Sequence, residues 1–194
     1  YACVAQDVRG RYASEGTNTV FRDDGPDGRT TVDWIASQWW CDGRIGTFGG
    51  SALGITQYAL APGAGDALTC TMPAVATMDF YSHAAFQGGA LRQELLYNWL
   101  DGQDALYFYG WLREHRLWDS WLEAAAIVPH AEEVRVPGLH VGGWYDIFTQ
   151  GTLDAFDALQ HRGGAGARCR QYVVVGPWTH ASTGTATGGE LTYP

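Results

Sequence analysis

The feature that most constrains the fold of this 194-residue chain is an alternation of short apolar runs with segments of helical periodicity. Apolar runs of about four to eight residues are typical of buried strands, and apolar residues three and four positions apart are typical of helices. Strands that alternate with helices predict a parallel sheet in an α/β fold. The predicted strands are residues 1–6, 44–48, 67–72, 139–141 and 172–175, and the predicted helices are residues 31–40, 52–60 and 149–160.

The alternation stops between residues 79 and 130, where residues such as Leu91, Leu95 and Trp99 recur at helical spacing. We read this stretch as a helical insertion. The length suits one domain with such an insertion, since domains have about 100 to 200 residues. We therefore expect a first core part over residues 1–78, a helical cap over residues 79–130 and a second core part over residues 131–194.

Charge and cysteine content narrow the class of function. Acidic residues outnumber basic ones by 21 to 12, every basic residue is arginine, and the net charge is −9, which argues against nucleic acid and anionic membranes as partners. The cysteines Cys3, Cys41, Cys70 and Cys169 include no close pair typical of a zinc or redox site, so we expect buried free thiols. The acidic stretch 23–28 lacks the ligand spacing of a calcium loop and is predicted to be a turn.

The strongest local motif is Gly-Gly-Ser-Ala-Leu-Gly at residues 49–54, between a predicted strand and a predicted helix. A dinucleotide fingerprint needs glycine where Ser51 stands, and a Walker loop needs a lysine, which the chain lacks. A nucleophile elbow fits better, because glycines around a serine allow the tight turn that holds its hydroxyl above the sheet edge. The second glycine comes one position later than in the usual spacing, and a purely structural turn stays open as an alternative.

Asp146 and His180 supply the other two groups that a reactive serine needs. A serine hydroxyl becomes nucleophilic when an imidazole takes its proton and a carboxylate orients that imidazole. Asp146 follows the predicted strand 139–141 and His180 follows the predicted strand 172–175, in the chain order serine, acid, histidine of hydrolases with such an elbow. Asp146 could instead cap the next helix, and His180 could be a surface residue.

Other residues compete for these two roles. Asp79 is the alternative acid. His140 falls inside a predicted strand and is expected to point into the core. The remaining histidines do not follow an apolar strand in a glycine and proline turn, as His180 does; they are His83, His115, His130 and His161.

Four motifs then occur in order along the chain: Gln-Asp-Val-Arg-Gly-Arg with Ser-Glu-Gly at 6–16, Asp-Trp-Ile-Ala-Ser-Gln through Gly-Gly-Ser at 33–51, Gly-Gly-Trp-Tyr-Asp at 142–146, and Gly-Pro-Trp-Thr-His at 176–180. Together they resemble the cocaine esterase and X-prolyl dipeptidyl aminopeptidase family of serine hydrolases. The resemblance covers most of the chain outside the helical insertion. Residues 87–90 are similar to the start of that family's cap, and the late glycine of the elbow is the family's own spacing.

The resemblance implies an α/β-hydrolase fold, a doubly wound and mostly parallel sheet with a short helical cap. It implies that Ser51 is the nucleophile, His180 the general base and Asp146 the residue that orients it. It also implies that the backbone amide of Ala52, where the family usually has tyrosine, binds the oxyanion, and that no cofactor or metal is needed. We further expect Trp144, Tyr145 and Trp178 to wall the acyl pocket, with simple packing as the alternative, and the tryptophans of the cap to close over a bulky apolar acyl group.

The expected substrate is a small ester, an amide or a short peptide, since members of the family cleave aromatic esters, α-amino acid esters and X-proline peptides. Recognition of a free amino terminus would need carboxylates, for which Asp79, Glu94, Asp101 and Asp104 are candidates. The sequence predicts no oligomeric state, and cytoplasm is only the default compartment.

The resemblance also implies that the chain is the core of a longer hydrolase. Relatives in the family carry an earlier segment with a second oxyanion donor and a later β-rich domain. The alternative interpretation is a non-catalytic binding module derived from a hydrolase; a metal-dependent hydrolase is a weaker third.

Overall fold

A computed structural model describes residues 1–124 and 128–193 of the chain. The helices are α1 (Asp24–Ala36), α2 (Ala52–Leu60), α3 (Gln93–Gly102), α4 (Leu106–Glu114), α5 (Ser120–Ala124) and α6 (Thr149–Arg162), with a π-helix at Phe80–Ala85 and a 3-10 helix at Val128–Glu133. The strands are β1 (Ile45–Gly50), β2 (Leu68–Ala74), β3 (Phe86–Gln87), β4 (Ala90–Leu91), β5 (Gly138–Gly143), β6 (Gln171–Gly176), β7 (Thr187–Gly188) and β8 (Leu191–Thr192).

Four parallel strands form the central sheet in the order β1-β2-β5-β6. The carboxyl ends of parallel strands lie at one edge of the sheet, which is where open α/β sheets place their sites. Ser51, Asp146 and His180 all follow strands of this sheet at that edge, after β1, β5 and β6 respectively. The parallel sheet is therefore confirmed, as are four of the five predicted strands and the helices at 52–60 and 149–160, with bounds shifted by a few residues at most.

The two faces of the sheet differ in what covers them. Helices α2 and α6 pack on one face, where the rings of Tyr58 and Phe156 contact His140. Successive side chains of a strand point to opposite faces of the sheet, so the residues next to His140 in β5, and their partners in the other strands, lie on the other face. We call this the open sheet face. Its apolar side chains are substantially exposed: Phe48 at 69%, Met72 at 38%, Tyr172 at 66% and Val174 at 47%.

Helix α1 begins earlier and ends earlier than predicted. It starts at Asp24 and ends at Ala36, so the turn predicted at 23–28 is wrong. The residues that suggested a turn suit the first turn of a helix equally well, because carboxylates favour the positive end of the helix dipole and proline is tolerated there. Asp24 and Asp27 occupy that first turn, and Pro26 lies between them.

The strand predicted at residues 1–6 is also wrong. These residues are exposed and belong to no strand. An apolar run becomes a strand only where a neighbouring strand takes its backbone hydrogen bonds. The segment is held by side chains instead, since Arg9 pairs with Asp27 and the Thr31 hydroxyl donates to the Gln6 amide oxygen.

The predicted cap is helical but contains one element that periodicity did not indicate. The π-helix leads into the β3–β4 hairpin, which turns at Gly88 and Gly89, both at positive φ, before α3 begins. Phe80, Phe108 and Trp99 belong to one core, in which Phe21 stacks on Trp99 with ring centroids 5.4 Å apart. The boundaries at 79 and 130 stay a prediction, and residues 125–127 of this segment lie outside the described residues.

The cysteines are free, but they are not buried as predicted. Cys3, Cys70 and Cys169 are exposed and Cys41 is partly exposed. Cys70 shows the physical reason, because it lies in β2 opposite Gly46 on the open sheet face.

Candidate active site

Ser51 occupies a sharp turn between β1 and α2. Its backbone has φ 58° and ψ −126°, a region that residues with a side chain rarely adopt. Its amide donates to the carbonyl of Ala74 at 2.9 Å, and its carbonyl accepts from the amides of Gly54 and Ile55. The turn is therefore fixed from both sides, and it lifts the serine side chain out of the sheet edge.

The glycine that comes one position late in the elbow is required by packing. A Cβ atom built on Gly54 would lie 2.5 Å from the Cβ of Ala76 and 3.1 Å from the carbonyl oxygen of Ala74. Helix α2 therefore approaches the end of β2 more closely than any side chain allows. This close approach holds the first turn of α2 against the sheet.

Asp146 and His180 lie on two loops that are joined by backbone hydrogen bonds. The amide of Trp144 donates to the carbonyl of Gly176 at 2.9 Å, and the amide of Tyr145 donates to the carbonyl of Trp178 at 3.0 Å. A Cβ atom on Gly143 would lie 2.1 Å from the Trp178 carbonyl oxygen, so only glycine permits this contact. The glycines of both loops thus allow the acid and the histidine to meet.

The structure brings the three predicted residues together. His180 Nδ1 lies 2.6 Å from Asp146 Oδ1, and His180 Nε2 lies 2.8 Å from Ser51 Oγ. An ionised carboxylate can only accept hydrogen bonds, so His180 Nδ1 carries a proton and donates a hydrogen bond to Asp146. The lone pair of Nε2 then faces the serine hydroxyl, which donates to it. This arrangement lets the imidazole remove the serine proton.

The Asp146 carboxylate makes a second hydrogen bond, within the segment that leads into α6. Its side chain is fully buried, and Oδ2 accepts from the amide of Phe148 at 3.1 Å, just before α6 begins at Thr149. Asp146 therefore does not cap α6, because Phe148 occupies the N-cap position and no side chain caps the helix there. The second bond fixes the rotation of the carboxylate that faces His180.

The competing residues lie in other environments. Asp79 Oδ1 accepts from the amide of Ser82 and caps the π-helix. The other histidines have their own partners: His83 pairs with Asp154, His115 with Asp119, His130 with Glu133, His161 with Asp157, and His140 with Tyr58 and Gln171.

His140 points into the core, as predicted, and its hydrogen bonds define its tautomer. The side-chain amide of Gln171 donates to the carbonyls of Val136 and Ala167, so its oxygen must accept from His140 Nε2, 3.0 Å away. Nδ1 then accepts from the Tyr58 hydroxyl at 2.7 Å. Burial lowers the pKa of His140, so the neutral ring is the stable form in this network.

Beside Ser51 and His180 lies a cavity of about 250 Å³. Its lining is mainly aromatic and aliphatic, and it includes Phe21, Phe80, Trp99 and Phe148 together with Ser51 and His180. Phe148 also contacts the His180 ring edge-on, at 5.4 Å between centroids. The cavity can hold an apolar group next to the serine hydroxyl.

The side chains predicted to wall this pocket are not among its lining. Trp144 and Tyr145 are 60% and 67% exposed, and Trp178 Nε1 donates to the carbonyl of Thr185 in its own loop. The loops carry these rings away from the cavity because their backbones pair with each other. Trp99, one of the cap tryptophans expected to close over an acyl group, does line the cavity, whereas the sequence gives no signal for Phe21.

The backbone amide of Ala52 lies at the start of α2. The first amides of a helix have no partner within it, and the helix dipole makes that end attractive to negative charge. The position beside Ser51 therefore suits an oxyanion.

Within the described residues, no group of three or more histidine, cysteine or acidic side chains is arranged to hold a metal ion.

A parallel sheet with a serine elbow after one strand, and an acid and a histidine after two others, defines the α/β-hydrolase fold, which confirms the fold class expected from the sequence. The chain belongs to the X-Pro dipeptidyl-peptidase (S15) family, whose sequence profile matches residues 1–108 and 100–182. The family resemblance seen in the sequence is thereby confirmed.

Individual relatives agree with this assignment. Cocaine esterase of Rhodococcus sp. (strain MB1 Bresler) is 31% identical over an alignment 232 positions long, which covers 94% of this chain and 39% of the esterase. The chain thus spans well under half the length of that relative. A putative serine esterase of Mycobacterium bovis is 36% identical over 91 residues, 46% of this chain and 14% of the relative.

Solved structures share the fold. An aminopeptidase from a Thaumarchaeota archaeon superposes with a TM-score of 0.77 at 24% identity, over 97% of this chain and 39% of the aminopeptidase. A CocE/NonD family hydrolase from Staphylococcus aureus gives 0.72 at 22% identity, over 89% of this chain and 32% of the hydrolase. No helix in the described part of the chain combines the length and apolar character needed to cross a membrane.

Proposed function

We propose that this chain carries the catalytic centre of a serine hydrolase that cleaves esters or amides through an acyl-enzyme. The observation that carries the proposal is the hydrogen-bonded series Ser51–His180–Asp146 at an apolar cavity. The family and the relatives support the same class of reaction.

In the first half of the reaction, His180 Nε2 takes the proton of the Ser51 hydroxyl while Oγ attacks the carbonyl carbon of the substrate. The carbonyl oxygen becomes an oxyanion, and the Ala52 amide donates to it. Asp146 stabilises the imidazolium that has formed. The tetrahedral intermediate then collapses, the bond to the leaving alcohol or amine breaks, and His180 gives its proton to that group.

The second half releases the acyl group. Water replaces the leaving group, and His180 Nε2 removes a proton from it as its oxygen attacks the acyl carbonyl. The second tetrahedral intermediate expels Ser51 Oγ, which takes back the proton from His180. The products are a carboxylic acid and the free enzyme, and no redox step or cofactor enters.

The cavity favours an apolar acyl group over a protonated amine. A buried cation needs a carboxylate beside it, and none of the candidate carboxylates lines the cavity. Asp79 caps the π-helix; Glu94, Asp101 and Asp104 are exposed. Within the proposed class we therefore place esters of apolar or aromatic acids ahead of peptides with a free amino terminus. Trp144, Tyr145 and Trp178 lie outside the lining of this cavity, on the loops that carry Asp146 and His180.

Hydrolysis of p-nitrophenyl acetate by the native chain and by Ser51→Ala tests the proposal. We expect Ser51→Ala to lower kcat by about 10⁴-fold or more, because loss of one triad member leaves little of the acceleration. Ser37→Ala is the matched control, since Ser37 is exposed on α1's C-terminal side and its hydroxyl bonds only to neighbours in its own segment, the Trp34 carbonyl and the Gln38 side-chain amide. Equal rates for the native chain and Ser51→Ala would refute the proposal and leave the binding-module interpretation.

A further inference from the structure

Arg92 links the cap to the loop that carries Asp146. It stands between the β3–β4 hairpin and α3, and its amide donates to the carbonyl of Ala85 at 2.9 Å. Its Nη1 donates to the carbonyl of His83 at 2.8 Å and to the carbonyl of Ile147 at 3.3 Å. One side chain of the cap is thus bonded both to the π-helix and to the loop after β5.

The loop that Arg92 contacts determines the geometry of the catalytic acid and base. Ile147 directly follows Asp146, and the next residue, Phe148, donates its amide to Asp146 Oδ2. The guanidinium carbon of Arg92 lies 6.0 Å from the centroid of the Phe148 ring. The same ring also makes the edge-on contact with His180. A shift of this loop would move both the carboxylate and the ring that abuts the imidazole.

The charge of the Asp146 carboxylate also acts on Arg92. Burial lowers the pKa of the Arg92 guanidinium, and the charge of Asp146 acts in the opposite direction. The side chain is partly buried, so this attraction is screened less than it would be between surface charges. The opposite charges of Arg92 and Asp146 therefore attract each other across the loop that carries Asp146.

We propose that Arg92 is a positioning residue, which ties the cap to the 143–148 loop and thereby keeps Asp146 and His180 aligned with Ser51. It does not touch the reacting atoms. The expected effect of Arg92 on turnover rests on the proposed function. Its expected effect on the His180–Asp146 hydrogen bond can be measured without turnover.

The test replaces Arg92 by methionine, which retains a long apolar stem and loses the charge and both hydrogen bonds. A misplacement of about 1 Å at a catalytic group can lower the rate by about 100-fold. We expect Arg92→Met to lower kcat for p-nitrophenyl acetate by about 10- to 100-fold while KM changes by less than about threefold, because the small acetyl group depends little on the part of the cavity wall that Ile147 and Phe148 form. Arg92→Lys, which retains a cation and its donors, should restore most of kcat.

Arg113→Met is the matched control, because Arg113 is an exposed arginine in the last turn of α4. It should leave kcat and KM unchanged. If Arg92→Met does not fold, as judged by circular dichroism, Arg92→Gln takes its place, since glutamine can still donate to the His83 carbonyl and preserve the cap.

A second readout follows the proton between His180 Nδ1 and Asp146 by its low-field NMR signal. We expect the signal in the native chain, in Arg92→Lys and in Arg113→Met, and its loss or broadening in Arg92→Met or Arg92→Gln. An unchanged signal together with kcat within twofold of the native value would overturn the positioning role. A native chain without turnover, whose signal still depends on Arg92, would refute the proposed function and retain the positioning role.

Discussion

Gly54 offers the sharpest test of how the elbow is built. Replacing it by alanine adds one methyl group in a helix, a change that by helix propensity alone stabilises by about 0.5–1 kcal/mol. The added Cβ would lie 2.5 Å from the Cβ of Ala76, whereas ordinary contacts begin at 3.4 Å, so α2 or β2 must move by about 0.9 Å. Overpacking of this kind costs about 1–3 kcal/mol, which exceeds the propensity gain.

Gly110 provides the matched comparison, because it lies within α4 and a Cβ built on it meets no atom within 4 Å. We expect Gly110→Ala to raise the free energy of unfolding by about 0.5–1 kcal/mol and Gly54→Ala to lower it by about 1–2 kcal/mol, as measured by urea denaturation. The two substitutions are chemically identical, so their difference isolates the contact of Gly54 with Ala74 and Ala76, at and just beyond the end of β2.

Gly54→Ala should also reduce turnover. The displacement of α2 moves Ser51 and the Ala52 amide relative to His180, and kcat for p-nitrophenyl acetate should fall by about 10- to 100-fold. Gly110→Ala should keep the native rate. The reasoning fails if Gly54→Ala is as stable as Gly110→Ala and hydrolyses the ester at the native rate.

Three further predictions concern other parts of the molecule. Burial, then the neighbouring Asp27 and Asp23, raises the pKa of Asp24 to about 6, above its ordinary value of 3.8. The folded state therefore binds more protons between these values, and stability falls as the pH rises from about 4 to about 6. Asp24→Asn should remove this dependence and raise the free energy of unfolding at pH 7 by about 1–3 kcal/mol, as followed by thermal denaturation across that range. Tyr58→Phe leaves the buried Nδ1 of His140 without its donor and should lower the free energy of unfolding in urea by about 1–3 kcal/mol, whereas Tyr172→Phe on the open sheet face should change it little; equal effects would contradict the network. Ala84→Leu adds bulk inside the cavity and should lower kcat/KM for p-nitrophenyl benzoate by about 10-fold or more relative to p-nitrophenyl acetate, and an unchanged ratio would exclude this cavity as the acyl site.

Local chemistry accounts for the parts of the fold that the sequence predicts well. Helix α2 has its predicted bounds because the serine elbow starts it and Pro62 and Gly63 follow its end. The positions of Ser51, Asp146 and His180 at one sheet edge follow from strand order and parallel topology. These features depend on residues close together in the chain or on general rules of α/β sheets.

The features that escaped prediction depend on partners distant in the chain. The run at residues 1–6 has strand character, but only a pairing partner could make it a strand. Phe21 reaches the cavity through its stacking on Trp99, a contact between residues 78 positions apart that no local pattern indicates. The Trp144 and Tyr145 rings point away because two loops bond to each other through their backbones.

The open sheet face has a consequence for handling the molecule in water. Removing apolar surface from water yields about 25 cal/mol per Å², and parallel strands are ordinarily sheltered on both sides. The folded protein therefore exposes an apolar surface, formed by Phe48, Met72, Tyr172 and Val174. We expect this surface to bind a hydrophobic dye such as anilinonaphthalene sulfonate and to increase the fluorescence of the dye. Dye fluorescence, usually taken as a sign of unfolding, would be a poor melting probe for this chain, and backbone circular dichroism the better choice.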